Sequence, residues 1–304
     1  MMLRIKQFCS ILLALLFVTS SGPSYAVNQN QFWFKQQIPI SLTVSYLDVG
    51  QGDSILLKTR THTVLIDGGS KEEMVVYKLQ CMGVRTIDII ISTHPHEDHI
   101  GGLIDVMDRF IVEEVIDSGF DSTSKVYKDY LKYIETHHIK YSEGRDGEKR
   151  NIDGVEMTII NPAEPLKGEM NENSIALSVK AGRINYLFMA DAGLTAEHQI
   201  LKRYPNLDCT ILKVGHHGSS GSTGKEFLYQ IRPCEAIISV GENTYGHPNE
   251  EVLKRLKDVR ARLYRTDQYG TITITTDGVI YTIQTERLDI LDLIRRSTND
   301  GKMD

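Results

Sequence analysis

The chain of 304 residues is 41% hydrophobic and 24% charged, the balance of an ordinary globular protein with enough apolar material for a sizeable core. Its formal net charge of -6 excludes a surface whose overall field would draw in polyanions. A phosphate-rich substrate must therefore be held locally, by metal ions or by a few basic side chains.

Residues 1–26 read as a secretory signal peptide: Arg4 and Lys6 make a positive start, residues 11–18 are uninterruptedly apolar, and Ser24-Tyr25-Ala26 is a small-residue cleavage signal. The alternative, an uncleaved anchor, has an apolar run that is short for a bilayer. Cys9 precedes the run, where a lipoprotein cysteine would not stand. Cleavage removes two bases and no acid, so the expected secreted or extracytoplasmic form is more acidic still. Cys81, Cys209 and Cys234 remain, an odd number without a Cys-x-x-Cys pair, and are expected to be buried apolar side chains with room for one disulfide at most.

Residues 27–39 are polar with three aromatics and form a lead-in. From there residues 40–49, 54–58 and 63–66 have strand patterning joined by tight turns, residues 71–82 have helical spacing, and residues 87–92 form a strand that is apolar apart from Asp88. Gly101-Gly102 opens a helix to about residue 110, residues 114–117 form a strand, and residues 124–137 form an amphipathic helix with Tyr127, Tyr130, Leu131 and Ile134 on one side. Strands follow at 155–160, 174–180 and 184–189. Alternating strands and helices then continue through 209–214, 227–231, 236–240, 250–259 and a last β section at 270–284. The order strands, helices, strands, helices predicts an α/β (α+β) fold with two β-rich halves covered outside by helices. No fixed-period repeat or low-complexity linker divides residues 40–296, so one domain is expected, closed by a helix over 287–296 and followed by a frayed tail at 297–304.

The run His94-Pro95-His96-Glu97-Asp98-His99 sits directly at the end of the strand over 87–92. A zinc-type ion needs several nitrogen or oxygen ligands about 2 Å away, and imidazole supplies neutral nitrogen well. Four such side chains within six residues fit two adjacent ions better than one, with Pro95 stiffening the loop and Gly101-Gly102 allowing close backbone approach. The competing reading is a solvated His-rich surface loop. Against it, Asp191 and His216-His217 also follow strands directly, and a carboxylate can bridge two metals while a further imidazole completes the second ion's shell. Taken alone, Asp191 would serve as well to cap the helix at 194–203.

Tyr46-Leu-Asp-Val-Gly-Gln-Gly-Asp-Ser54, Leu65-Ile-Asp-Gly-Gly69, the histidine run with Gly101-Gly102, Leu212-Lys-Val-Gly-His-His-Gly-Ser219 and Tyr245-Gly-His-Pro248 together resemble the metallo-β-lactamase domain of the ComEC type, the competence protein of DNA uptake. The resemblance spans residues 40–284 in order. It implies an αββα sandwich with metals at one edge between the sheets. It also implies one or two divalent ions, zinc or manganese, held by His94, His96, Asp98, His99, Asp191 and His216, with a solvent nucleophile activated between them. Among these, Asp98 and Asp191 join His247 as the expected catalytic residues. Two departures stand out. Many relatives with this fold place a further histidine between the first run and the bridging acid, but only His137 and His138 lie there, on an expected exposed helix end. Asn171-Glu-Asn173-Ser174 occupies that stretch, leaving the first ion short of a protein ligand and Asn173 a candidate second-shell or substrate group. The full competence protein is also a multi-spanning membrane protein, so a role in drawing DNA into a cell is not carried over.

Several further residues have two readings. Asp67 is either a second-shell partner of a metal-binding histidine or a turn carboxylate, and Asp53 is similar with a lean toward structure. His247 either donates to a phosphate or a leaving group, or packs in its loop. His217 and Ser219, with the neighbouring Ser220 and Ser222, are candidates to bind an anionic group, and Lys213 is an inward or flanking strand residue. The stretch Gly218 to Lys225 fails as a phosphate loop, because Ser219 stands where the first glycine is required and Glu226 replaces the hydroxyl residue after the lysine. No Gly-x-Ser-x-Gly nucleophile elbow follows a strand. Two metals suit attack on phosphorus or a carbonyl, so the expected reaction is hydrolysis. The first substrate class is a phosphate ester, with DNA a candidate; the acidic balance disfavours tight duplex binding and leaves a single-stranded end or a small phosphodiester. A phosphorylcholine esterase, with Trp33 and tyrosines as a cage, or a lactonase is the alternative enzyme. A metal-stabilised binding protein without turnover is the alternative outside enzymes.

Overall fold

The computed structural model describes residues 39–70 and 74–287. The expected signal peptide, the lead-in up to residue 38, the closing helix beyond Arg287 and the tail lie outside the described residues. Six strands come first: β1 (Leu42–Tyr46), β2 (Ile55–Lys58), β3 (Thr63–Ile66), β4 (Thr86–Ser92), β5 (Ile111–Asp117) and β6 (Lys140–Glu143). Seven follow: β7 (Lys149–Ile152), β8 (Val155–Asn161), β9 (Ala176–Ala181), β10 (Ile184–Phe188), β11 (Ile211–Lys213), β12 (Glu235–Ile238) and β13 (Arg262–Arg265). β14 (Ile272–Thr276) and β15 (Tyr281–Thr285) then return to the first sheet as a hairpin beside β1.

The result is an eight-stranded sheet, β15-β14-β1-β2-β3-β4-β5-β6, and a seven-stranded sheet, β13-β12-β11-β10-β9-β8-β7. Each is antiparallel on one side and parallel on the other, with β3 to β6 parallel in the first and β10 to β13 parallel in the second. Parallel neighbours require crossovers, and helices supply them. α1 (Met74–Cys81), α2 (Glu97–Ile100), α3 (Leu103–Arg109) and α4 (Lys125–Thr136) serve the first sheet; α5 (Leu194–Arg203), α6 (Lys225–Ile231) and α7 (Glu250–Asp258) serve the second, and α8 (Thr266–Tyr269) follows β13.

Strand alternation sorts the core into three apolar layers. Val64, Ile66, Ile89 and Ile91 of the first sheet face Leu177, Val179, Tyr186 and Phe188 of the second. The intervening Leu65 and Ile90 turn outward beneath Val75, Leu79, Leu103, Val106, Tyr127 and Tyr130 of the helices. Leu187 and Leu212 likewise pack beneath Ile200, Phe227, Leu228 and Leu256. Helix, sheet, sheet, helix is the expected αββα order.

β6, β7 and β13 were not foreseen in the patterning, and all three are sheet edges. Their sequences, KYSE, KRNI and RLYR, carry the charges that protect an edge and so lack an apolar alternation. The expectation of three buried cysteines is corrected: Cys209 alone is buried, and Cys81 and Cys234 are exposed free thiols.

Candidate metal centre

The parallel strands deliver their C-terminal ends to one rim, where loops carry the polar cluster. His94 follows β4, and His96 caps α2, whose first turn holds Asp98 and His99. Asp67 follows β3, Asp191 follows β10, and His216 and His217 follow β11 in a short 3₁₀ turn. Glycine is required where these loops touch. A Cβ on Gly52, at φ +138°, would lie 2.3 Å from the Asp98 carbonyl oxygen, and one on Gly102 would lie 2.4 Å from the Gly68 oxygen.

Asp191 stands at the centre, 1% exposed, with its two oxygens facing two different groups. Oδ1 lies 3.3 Å from His99 Nε2 and 3.6 Å from His217 Nε2, and Asp98 Oδ2 lies 3.2 Å from the same His217 nitrogen and 3.9 Å from His99 Nε2. Oδ2 lies 3.6 Å from His94 Nε2 and 3.5 Å from His216 Nε2, while His94 Nε2 is 3.0 Å from His96 Nδ1. Tetrahedral ligands on bonds of 2.0–2.1 Å stand about 3.3 Å apart. Ligand atoms of Asp98, His99 and His217 lie mutually within 4.8 Å, as do those of His94, His99 and Asp191, the spacing of ligands around a divalent ion. His99 Nε2, His217 Nε2 and Asp191 Oδ1 are buried without a hydrogen-bond partner among the described residues. Buried polar atoms are seldom left so, and a cation would satisfy all three at once. The donor set therefore fits a divalent ion, which Asp98, His99 and His217 would hold. A neighbouring ion would be met by His94 and Asp191, with His96 3.0 Å from His94 and His216 3.5 Å from Asp191 at the margin of that group.

The second histidine of the pair changes place relative to the sequence reading. His217, expected behind the ligands or against substrate, is 1% exposed and points at Asp98, His99 and Asp191, while His216 faces the His94 side. The backbone explains it. Both residues adopt left-handed conformations, φ 46° and 52°, which turn adjacent imidazoles 74° apart in plane. Such strain costs about 1–3 kcal/mol per residue and persists only where the surroundings enforce it.

Buried partners fix the rings. His99 Nδ1 donates to Asp67 Oδ2 at 2.8 Å, and Asp67 also accepts from the Thr93 N–H and hydroxyl at 2.8 and 2.7 Å. His217 Nδ1 donates to the Ser239 carbonyl at 2.9 Å. Behind it, Asp53 lies 3.5 Å away and is paired at 2.8 Å with Lys213, whose side chain is wholly buried. Burial opposes charge on Asp191, yet His99 and His217 hold its carboxyl well below the ordinary range. Burial also opposes charge on His99, but Asp191, Asp98 and Asp67 raise it well above the ordinary histidine value. His94, where burial is the largest influence, is pushed well down and stays a neutral donor.

Three other candidates lie differently. Asn173 spends its side chain on its own loop, donating to the Lys167 and Glu169 carbonyls at 2.8 Å each and accepting from Lys167 N at 3.2 Å. It is Asn171 whose amide meets the His216 ring, at 3.4 Å. Ser219 closes its own turn, its hydroxyl accepting from Gly221 N at 3.3 Å. His247 stands half-buried with its ring centroid 5.4 Å from that of His216, and burial followed by His216 and His217 lowers its pKa. Asn171 carried no periodic or spacing signal that would have placed it here, whereas Asp53, weighed as a partner behind a ligand or a turn residue, and Lys213, weighed as an inward or flanking strand residue, form the buried pair behind His217. His137 stacks on Tyr133, centroids 3.8 Å apart, at the far end of α4.

The model of the metallo-beta-lactamase superfamily matches residues 47–242. ComE operon protein 3 of Bacillus subtilis is 32% identical over 251 residues, covering 75% of this chain and 32% of that protein. Competence protein ComA of Neisseria gonorrhoeae is 28% identical over 234 residues, covering 75% and 31%. The chain thus spans about a third of the length of these curated relatives. Among solved structures, the metallo-beta-lactamase fold protein YhfI from Bacillus subtilis superposes with TM-score 0.53 at 13% identity, covering 78% of this chain and all of that one. The diiron beta-hydroxylase CmlA from Streptomyces venezuelae gives 0.53 at 16%, covering 77% and 54%, a likeness of fold alone. The chain belongs to the metallo-beta-lactamase superfamily of hydrolases, and its curated relatives are ComEC-type competence proteins.

Proposed function

We propose that this protein is an exported, metal-dependent phosphodiesterase or nuclease that hydrolyses small phosphodiesters or single-stranded ends. The observation that carries the reading is Asp191, with one oxygen turned to each of two imidazole-rich groups. Bound zinc or manganese ions would supply Lewis acidity, lowering the pKa of water and neutralising charge on a phosphoryl oxygen. The protein's own contribution is positional. Asp67 and the Ser239 carbonyl hold the His99 and His217 tautomers, and Asp191 keeps the two groups adjacent. His247, kept neutral by its surroundings, offers a ring N–H to the ester oxygen that departs.

The cleft before these residues has a volume of about 330 Å³ and is bordered by Gln51, His96, Asp98, His216, Tyr245 and His247. That is the lower end of the range for small-molecule sites, suited to one nucleotide-sized unit and too small for a duplex. Export rests on Arg4, Lys6 and the apolar run of residues 11–18; among the described residues no helix is long and apolar enough to cross a membrane.

The purified chain, reconstituted in parallel with manganese and zinc, should hydrolyse bis-4-nitrophenyl phosphate and trim labelled single-stranded DNA, and leave a lactone and a phosphorylcholine ester almost untouched. Preferential lactone or choline-ester turnover would select the alternative enzyme. Stoichiometric metal without turnover of any of the four would leave a metal-stabilised binding protein.

A further inference from the structure

The loop between β12 and α7 carries an aromatic ring that the metal chemistry does not use. Tyr245 borders the cleft yet is 74% exposed, the most open of the large apolar or aromatic side chains among the described residues. Its ring lies 5.8 Å from that of His247 at 31° between planes, and His247 in turn lies 5.4 Å from His216. A line of rings thus runs from solvent to the candidate ligands.

The loop that presents Tyr245 is held stiffly. Asn243 alone makes four hydrogen bonds within it: Oδ1 accepts from Tyr245 N and His247 N at 3.1 Å each, and Nδ2 donates to the Gly241 and His247 carbonyls at 2.9 and 2.8 Å. At one end Gly241 packs so tightly on the Gly50-Gln51 backbone that a Cβ would lie 2.4 Å from Gly50. At the other, Asn249 N donates to the Gly218 carbonyl at 2.9 Å, tying the loop to the His216-His217 turn. Because the loop is already ordered in the free protein, a ligand stacking on its aromatic face need not supply the free energy of ordering it.

Charge narrows the ligand. The cleft lining includes Glu97 and Asp98 and, among the described residues, no lysine or arginine. No cation of the protein is there to grip a second phosphate, so recognition beyond the scissile group must come from a neutral surface. A single flat phenol beside an imidazole suits a planar ring, whereas a quaternary ammonium calls for several aromatic walls.

We propose that Tyr245 and His247 form a stacking platform for a nucleobase flanking the scissile phosphate, so that the protein prefers nucleoside-bearing diesters over diesters of the same charge without a base. This deepens, and rests on, the phosphodiesterase reading. Base stacking on an aromatic residue changes binding by roughly tenfold when the ring is removed.

The test compares thymidine 5′-(4-nitrophenyl phosphate) with methyl 4-nitrophenyl phosphate on the manganese-loaded full chain and on Tyr245→Ala, Tyr245→Phe and Tyr245→Trp. The expected result is a wild-type preference for the thymidine ester, a roughly tenfold fall in that preference for Tyr245→Ala carried by KM, and its retention by the Phe and Trp variants. Calorimetric titration with thymidine 5′-monophosphate and inorganic phosphate gives a second readout, in which Tyr245→Ala loses affinity for the nucleotide selectively. Equal changes for both esters, or no change in the nucleotide-to-phosphate affinity ratio, overturn the platform. So does a 4-nitrophenyl phosphorylcholine ester whose turnover depends more strongly on Tyr245. If the wild type hydrolyses none of these esters, the phosphodiesterase reading fails on its own, and the calorimetric ratio still decides the platform.

Discussion

The two ligand groups around Asp191 are built unequally. On the Asp98 side the carboxylate itself is 32% exposed, but His99 and His217 are buried and each ring is held by a partner behind it, Asp67 and the Ser239 carbonyl, with the Asp53–Lys213 pair packed at the back. On the other side only His94 is fully buried; His96 is partly open, the His216 side chain is 30% exposed, and that ring is met by the Asn171 amide at 3.4 Å. Braced, desolvated ligands lose little freedom when they bind an ion, and loosely held ones lose more. The difference teaches that one ion should be held as part of the fold and the other as an exchangeable reagent.

The largest test removes what the two groups share. Asp191→Ala should abolish the distinction, dropping hydrolysis about a thousandfold and bringing bound metal below one ion per chain by elemental analysis. The paired variants His217→Ala and His216→Ala should sharpen the comparison. The first loses the ion that resists chelation, whereas the second keeps it and weakens the exchangeable ion by at least about tenfold in a chelator titration. Equal behaviour of the two would dissolve the inequality. Asp67→Asn, which leaves the ligands in place and disturbs the His99 tautomer, should weaken the tightly held ion by about 10- to 100-fold.

The smallest effect concerns the loop that carries both histidines. Glu197, 2% exposed, accepts from the backbone N–H groups of Thr223 and Gly224 and so clamps the end of that loop onto α5. Burial raises its pKa from 4.5 to about 7, outweighing the two amide donors. A raised carboxyl contributes stability that is full below 4.5 and lost as pH rises toward 7. Melting temperature should therefore decline across that window, and Glu197→Gln should flatten the decline. Having one acceptor oxygen for two amides, that variant should also cost about 1–3 kcal/mol near pH 5, measured by denaturant titration.

Much of this protein was legible from local pattern. The histidine run, Asp67 and Asp191 each follow a strand whose apolar alternation or apolar run marks it, and the strand end predicts which rim they share. The edge strands were not legible, because sheet edges are polar and their pairing is decided by neighbours far along the chain. Asn173 was misplaced for a similar reason: nothing local distinguishes an asparagine that closes its own loop from Asn171, two residues earlier, which reaches His216.

By itself the sequence determined the layered α/β class, the rim and the chemical identity of most of the donors, because side-chain chemistry and strand periodicity are local properties. Only the tertiary structure decided which of two adjacent histidines serves which group, and which carboxylates stand behind the rings. Those outcomes depend on left-handed backbone angles at His216 and His217 and on contacts between loops more than a hundred residues apart, neither of which is written in the order of neighbouring residues.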